Sequence, residues 1–172
     1  DIPIHLTFDF NTNPYVSCSI WQLIGNKAIC IDEIAAKSPH NSPIGACKLF
    51  LERYFAHKSG LYVYGDPAGK SEDGRTERGE NAFRLISSAL VTMRPTLRIQ
   101  SKAPAVKTRK DWINAIFKYE EQNMNILISD KCTYLISDLS YLKEASDGTK
   151  HKQKIRDSQT DVPYEKYGHF SD

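Results

Sequence analysis

Gly25-Asn26 lies between two stretches of alternating apolar residues, and this pairing constrains the chain more than any other feature. A two-residue connection of this kind joins antiparallel strands, because its backbone twist matches the twist of the strands it links. The flanking alternation predicts strands over 15–24 and 27–34. Upstream, residues 4–10 also alternate, with Ile4, Leu6, Phe8 and Phe10 on one face and His5, Thr7 and Asp9 on the other. Asn11-Thr12-Asn13-Pro14 breaks that strand before the next begins. The chain therefore opens as a three-stranded antiparallel meander whose first strand ends near a carboxylate, Asp9.

After the meander the apolar period changes from strand to helix. Ser42-Pro43 is a helix start, since Ser can bond the free N–H groups of the first turn and Pro is preset for it. Ile44, Cys47, Leu51, Tyr54 and Phe55 follow at helical spacing until Gly60. Leu61-Tyr62-Val63-Tyr64-Gly65-Asp66 is a fourth strand running into a carboxylate, and 67–79 is a long polar loop. Ala82, Phe83, Ile86, Ala89, Leu90 and Met93 mark a second helix, and 96–100 a fifth strand. A third helix over about 106–123 is expected to bury Val106, Ile113, Ile116 and Phe117. A short sixth strand over 125–129 precedes a helical stripe of Cys132, Leu135, Ile136, Leu139 and Leu142. Residues 143–163 lose periodicity, as a loop or weak hairpin, and 164–172 are expected to lead into a final helix. There is no internal repeat.

At 172 residues the chain is expected to form one domain, spanning 1–172. It begins without Met and stops after Ser171-Asp172, which we read as excision from a longer protein with a C-terminal helix cut short. Composition is that of a soluble globular protein, with no apolar run of about 18 residues and no signal pattern. The cysteines, Cys18, Cys30, Cys47 and Cys132, form no Cys-x-x-Cys pair and sit in apolar segments, as reduced core residues of a cytosolic protein do.

The net charge of +2 is unevenly spread. Arg94, Arg98, Lys102, Lys107, Arg109 and Lys110 fall in one segment without an acid, and Lys143, Lys150, His151, Lys152, Lys154 and Arg156 form a second cluster. Lys102, Lys107, Arg109, Lys110, Lys150, Lys152, Lys154 and Arg156 are candidate phosphate contacts, suited to a polyanion.

Gly69-Lys70-Ser71 imitates the end of a phosphate loop, but only three residues separate Gly65 from Gly69, and Tyr64 stands where the first glycine belongs. The backbone cannot then curl its N–H groups around phosphates, so that reading is rejected. Asp32 and Glu33 are adjacent on a strand, point to opposite faces and cannot chelate together, which leaves them as edge or turn carboxylates. Asp130 is read as a cap for the helix that follows.

Three strands, helix, strand, helix, strand, helix is the order of the RNase H-like fold, an α/β fold. It has a mixed central sheet, a three-stranded antiparallel meander followed by parallel strands, and helices on both faces. In it the first and fourth strands lie side by side and parallel, which brings Asp9 and Asp66 together. Two carboxylates within a few Å repel unless a cation neutralises them, and hard oxygen donors select Mg²⁺ or Mn²⁺.

Several segments in this order resemble the C-terminal nuclease domain of the large terminase subunit of tailed bacteriophages. They are Phe8-Asp9-Phe10-Asn11 with Pro14, Ile31-Asp32-Glu33-Ile34, Tyr64-Gly65-Asp66-Pro67-Ala68-Gly69 and Pro104-Ala105-Val106 with Arg109. Lys131-Cys132 with Leu135-Ile136-Ser137-Asp138-Leu139, and the closing His169-Phe170-Ser171-Asp172, complete the set. The resemblance implies a metal-dependent endonuclease that cuts concatemeric double-stranded DNA during genome packaging in the cytoplasm of a bacterial host. It implies that Asp9, Asp66 and Asp172 form an acidic triad holding two ions, Mg²⁺ or Mn²⁺; His169 is read either as a support or phosphate contact beside them or as a structural residue. A packaging ATPase domain, a small terminase subunit and a portal are the implied partners. The alternatives are another RNase H-like nuclease, such as a Holliday-junction resolvase, and a DNA-gripping module with a structural acidic cluster.

Overall fold

The computed structural model describes residues 2–71, 80–121, 123–146, 148–151, 153–157 and 161–171. The meander is present as β1 (Ile4–Asp9), β2 (Val16–Ile24) and β3 (Lys27–Ala36), with Gly25 at φ +58° in the turn. Helix α1 (Pro43–Tyr54) leads to β4 (Leu61–Gly65), α2 (Ala82–Ala89) to β5 (Thr96–Leu97), and α3 (Val106–Phe117) to β6 (Asn125–Ile128). Helix α4 (Thr133–Tyr141) and a small hairpin, β7 (Lys154–Arg156) with β8 (Pro163–Glu165), follow.

The six strands of the main sheet run in the order β5-β4-β1-β2-β3-β6. β2 is antiparallel to both neighbours, and the β1–β4, β4–β5 and β3–β6 pairs are parallel. This is the RNase H-like arrangement, with β1 central and β4 beside it.

Alternation along the strands sends two sets of side chains to opposite faces. Ile4, Leu6, Phe8, Cys18, Ile20 and Val63 are buried in one cluster with Ala46, Cys47 and Phe50 of α1 and Phe83 and Ile86 of α2. On the other face Tyr15, Cys30, Cys132, Leu135 and Phe170 form a second cluster, to which α4 contributes. A bulge between Ile20 and Trp21 shifts the β2–β3 register. Helices thus cover both faces.

Local chemistry starts α1 and α2 as the sequence indicates for the first of them. The Ser42 hydroxyl accepts from Gly45 N–H at 3.0 Å, and the Asn81 side chain accepts from Arg84 N–H at 3.1 Å. The face of α1 differs from expectation: Phe50 is its largest buried residue, while Ile44 and Phe55 are exposed. Gly45 explains part of that rotation, since a Cβ there would fall 2.1 Å from the His40 carbonyl oxygen, so this side lies hard against the preceding loop.

Helix α3 ends at Phe117, well short of 123, and buries only Ile116 fully. Val106 and Phe117 stay exposed, as do Ile136 and Leu139 of α4. No helix follows 163 among the described residues; β8 is succeeded by turns.

Asp32 and Glu33 do face opposite ways, yet neither is an idle edge carboxylate. Asp32 pairs with Arg53 of α1 at 3.0 Å and accepts from the Tyr54 hydroxyl at 3.1 Å. Glu33 is buried and accepts the N–H groups of Tyr134 and Leu135 at 2.7 and 2.9 Å. Glu33 therefore caps α4 across the fold, in place of exposed Asp130. All four cysteines are buried and free, as expected.

Candidate functional site

The ends of β1 and β4 define the site. The two strands pair in parallel register down to Phe8 opposite Gly65, so the next residues, Asp9 and Asp66, stand side by side where the strands stop. The shared parity of the register sends both toward the face that α4 covers. Asp9 accepts from Asn11 Nδ2 at 2.8 Å. Asp66 Oδ1 accepts from Ala68 N–H at 2.7 Å and caps a 3-10 turn, Pro67–Lys70.

The glycines that imitate a phosphate loop serve this turn. A Cβ on Gly65 would lie 3.1 Å from the Phe8 carbonyl oxygen, and one on Gly69 only 2.4 Å from Phe10 Cε2. Absence of both side chains lets the turn close against the Phe10 ring, which itself meets Phe83 edge to face at 5.2 Å. Lys70 points away from any cradle and donates to the Gln100 carbonyl at 3.2 Å.

The segment 169–171 is tied to the same corner. Ser17 is the register partner of Asp9, and its hydroxyl donates to the His169 carbonyl at 2.5 Å. Asp138 of α4 is buried and accepts the Phe170 N–H at 2.7 Å. His169 is buried with its Nε2 on the Glu165 carbonyl at 2.6 Å and its ring edge-on to Tyr15 at 5.1 Å. Its Nδ1 is buried without a partner among the described residues. Asp172, the third acid expected here, lies outside the described residues.

Donor chemistry at the corner fits a hard divalent cation: two carboxylates in adjacent register, each oriented by a hydrogen bond, with no thiolate or imidazole between them. Among the described residues no group of three or more His, Cys, Asp and Glu is arranged to hold a metal. Asp9 and Asp66 are thus two carboxylates at neighbouring strand ends, with no third His, Cys, Asp or Glu grouped with them among the described residues.

The basic residues fall into three places. Lys102 and Lys107 are exposed at and before the start of α3. Arg109, Lys110 and Lys150 join Lys143 around one cavity, so the two clusters separated in sequence meet there. Lys110 is bound to Glu144 at 2.6 Å, which holds its ammonium above its ordinary pKa. Lys154 and Arg156 lie on β7, with Arg156 paired to Asp161 at 2.9 Å. Their hairpin meets the β1–β2 loop, where Asn13 Nδ2 donates to the Pro163 carbonyl at 3.4 Å. Lys152 lies outside the described residues.

Ser17 and Asp138 escaped assignment in the sequence. The signal for Ser17 was its place opposite Asp9 across the first turn. Nothing in the sequence announces that Asp138 binds a backbone N–H 32 residues later.

No protein-family model and no curated protein matches this chain. Among solved structures it is similar to the large terminase of a thermophilic bacteriophage in complex with ADP, with a TM-score of 0.53 and 12% identity. That match covers 86% of this chain and 34% of the other, so the chain spans about a third of that protein's length. It is also similar to the large terminase nuclease from thermophilic phage G20c with bound cobalt, with a TM-score of 0.46 and 12% identity over 88% and 71% of the two chains. At such identity the first likeness shows a shared fold.

Proposed function

We propose that this chain is a metal-dependent DNA endonuclease of the large terminase type, which cuts concatemeric double-stranded DNA during viral genome packaging. The observation that carries the proposal is the register of β1 against β4, which puts Asp9 and Asp66 at neighbouring ends of parallel strands. Paired carboxylates are mutually repulsive, and a divalent cation relieves that repulsion. The motif resemblance and the fold shared with the ADP-bound phage large terminase support the same reading.

Asp9 and Asp66 would hold the cation, and Asp172 is proposed as the further donor that completes the set for two ions. Bound there, Mg²⁺ or Mn²⁺ supplies Lewis-acid stabilisation of charge on the scissile phosphate and acidifies water. The chain's own residues do the rest by positioning. Asn11 orients Asp9, Ala68 N–H orients Asp66, and Ser17 together with Asp138 fixes the segment that leads to Asp172. Lys102, Lys107 and Lys154, all exposed, are the proposed contacts to a duplex backbone. A packaging ATPase domain, a small subunit and a portal are the proposed partners.

Supercoiled plasmid tests the reaction. Nicking and linearisation in Mg²⁺ or Mn²⁺, abolished by excess chelator, are the expected result. Cleavage restricted to branched DNA would favour a junction resolvase, and DNA binding without cleavage under any metal would favour a gripping module.

A further inference from the structure

Between α3, α4 and residues Glu144 and Gly148 to Lys150 lies a cavity of about 390 Å³. None of its lining residues is Asp9 or Asp66. Its walls are chemically divided. Ile113, Leu139 and Leu142 are apolar, Trp112 stands at the wall 47% exposed, and Lys143 and Lys150 bring positive charge.

Two polar atoms in this lining have no partner among the described residues: Arg109 Nε and Ser171 Oγ are both buried and unbonded. A buried donor without an acceptor is destabilising, so two at one cavity call for an acceptor there. The carboxylates that line the cavity are already engaged, Asp138 with Phe170 N–H and Glu144 with Lys110. An acceptor from outside the chain would complete both donors.

We infer that this cavity binds a nucleoside phosphate, with the phosphate on Arg109 Nε and Ser171 Oγ and the base against Trp112 and the apolar wall. An anion rich in acceptors satisfies both donors, and Lys143 and Lys150 add charge complementarity. A flat ring joined to that anion matches the indole and aliphatic surface. The volume lies within the range of about 300–1,000 Å³ usual for small-molecule sites. Such a group arrives either as a free nucleotide or as the 5′-phosphorylated end of a DNA strand. The inference requires no metal and does not depend on the carboxylate pair being catalytic.

Trp112 provides the readout, since the chain has only two tryptophans and Trp21→Phe leaves it alone. In chelator, dAMP is titrated into that background and indole fluorescence is followed. Saturable quenching by dAMP is expected, with deoxyadenosine and Arg109→Gln each weakening binding about tenfold or more, the usual scale for a charge-assisted contact. If Arg109→Gln disturbs α3 by circular dichroism, Ser171→Ala carries the same comparison. A dinucleotide with a 5′-phosphate that matches dAMP identifies a strand end, and one that fails to bind identifies a free nucleotide. No saturable response to dAMP, equal binding of deoxyadenosine, or full binding in the folded variant would overturn the inference. Cleavage activity enters none of these readings.

Discussion

Glu33 is a buried carboxylate addressed by two backbone N–H groups of α4, and its chemistry is readable in isolation. Burial pushes its pKa above the ordinary value of 4.5, because desolvation outweighs the two N–H contacts that favour the anion. Its folded pKa is thus the higher one. Its contribution to stability is complete below the unfolded value and is lost as pH rises through the folded value. The stability of wild type relative to Glu33→Gln should therefore fall as pH rises above the ordinary carboxylate value, measured by denaturant unfolding. Glu33→Ala leaves two helix N–H groups unbonded in the interior and should cost about 1–3 kcal/mol in the same measurement. The sequence disclosed that Glu33 faces away from Asp32, since parity on a strand is a local property. That it caps a helix about 100 residues later is a tertiary fact without a local signature.

Among elements, the 3-10 turn after β4 shows how packing disciplines a site. Gly69 touches the Phe10 ring so closely that a methyl group would have to displace it, and Phe10 follows Asp9 directly. Gly69→Ala should lower stability by about 1–3 kcal/mol through overpacking and should reduce cleavage as well, because the turn carries Asp66. A thermal melt beside a plasmid assay checks both, and an unchanged melt would show that the ring yields freely. The meander and β4 were legible because period-two alternation and a tight turn act within a few residues. Helices α3 and α4 were located but their buried faces were misjudged: Val106, Phe117, Ile136 and Leu139 fit a stripe, yet stay exposed. Periodicity shows which residues share a face; it does not reveal whether anything covers that face. The run expected to lead into a final helix forms a short strand, Pro163–Glu165, and then bends, with Gly168 at φ +102°.

For the molecule as a whole, the sheet brings into one corner what the chain keeps far apart. Asp9, Asp66 and the 169–171 segment meet because β1 pairs with β4 and β2 holds His169 through Ser17. The parallel pairing of β1 with β4 was legible in the order of elements, whereas the joining of Arg109 and Lys150 at one cavity was not. If the basic residues meet a duplex backbone, DNA affinity should fall steeply with added salt and vary little with sequence, as a fluorescence-anisotropy titration would register. A flat salt dependence would remove them from the interface. The most direct test of the account is a cycle of Asp9→Asn, Asp66→Asn and the double variant, each assayed for plasmid cleavage in Mn²⁺ after its fold is verified. Two carboxylates that serve one metal site act as a unit, so each single variant should lose nearly as much rate as the double. Cleavage that survives either substitution, or losses that simply add, would contradict a shared metal site at the ends of β1 and β4.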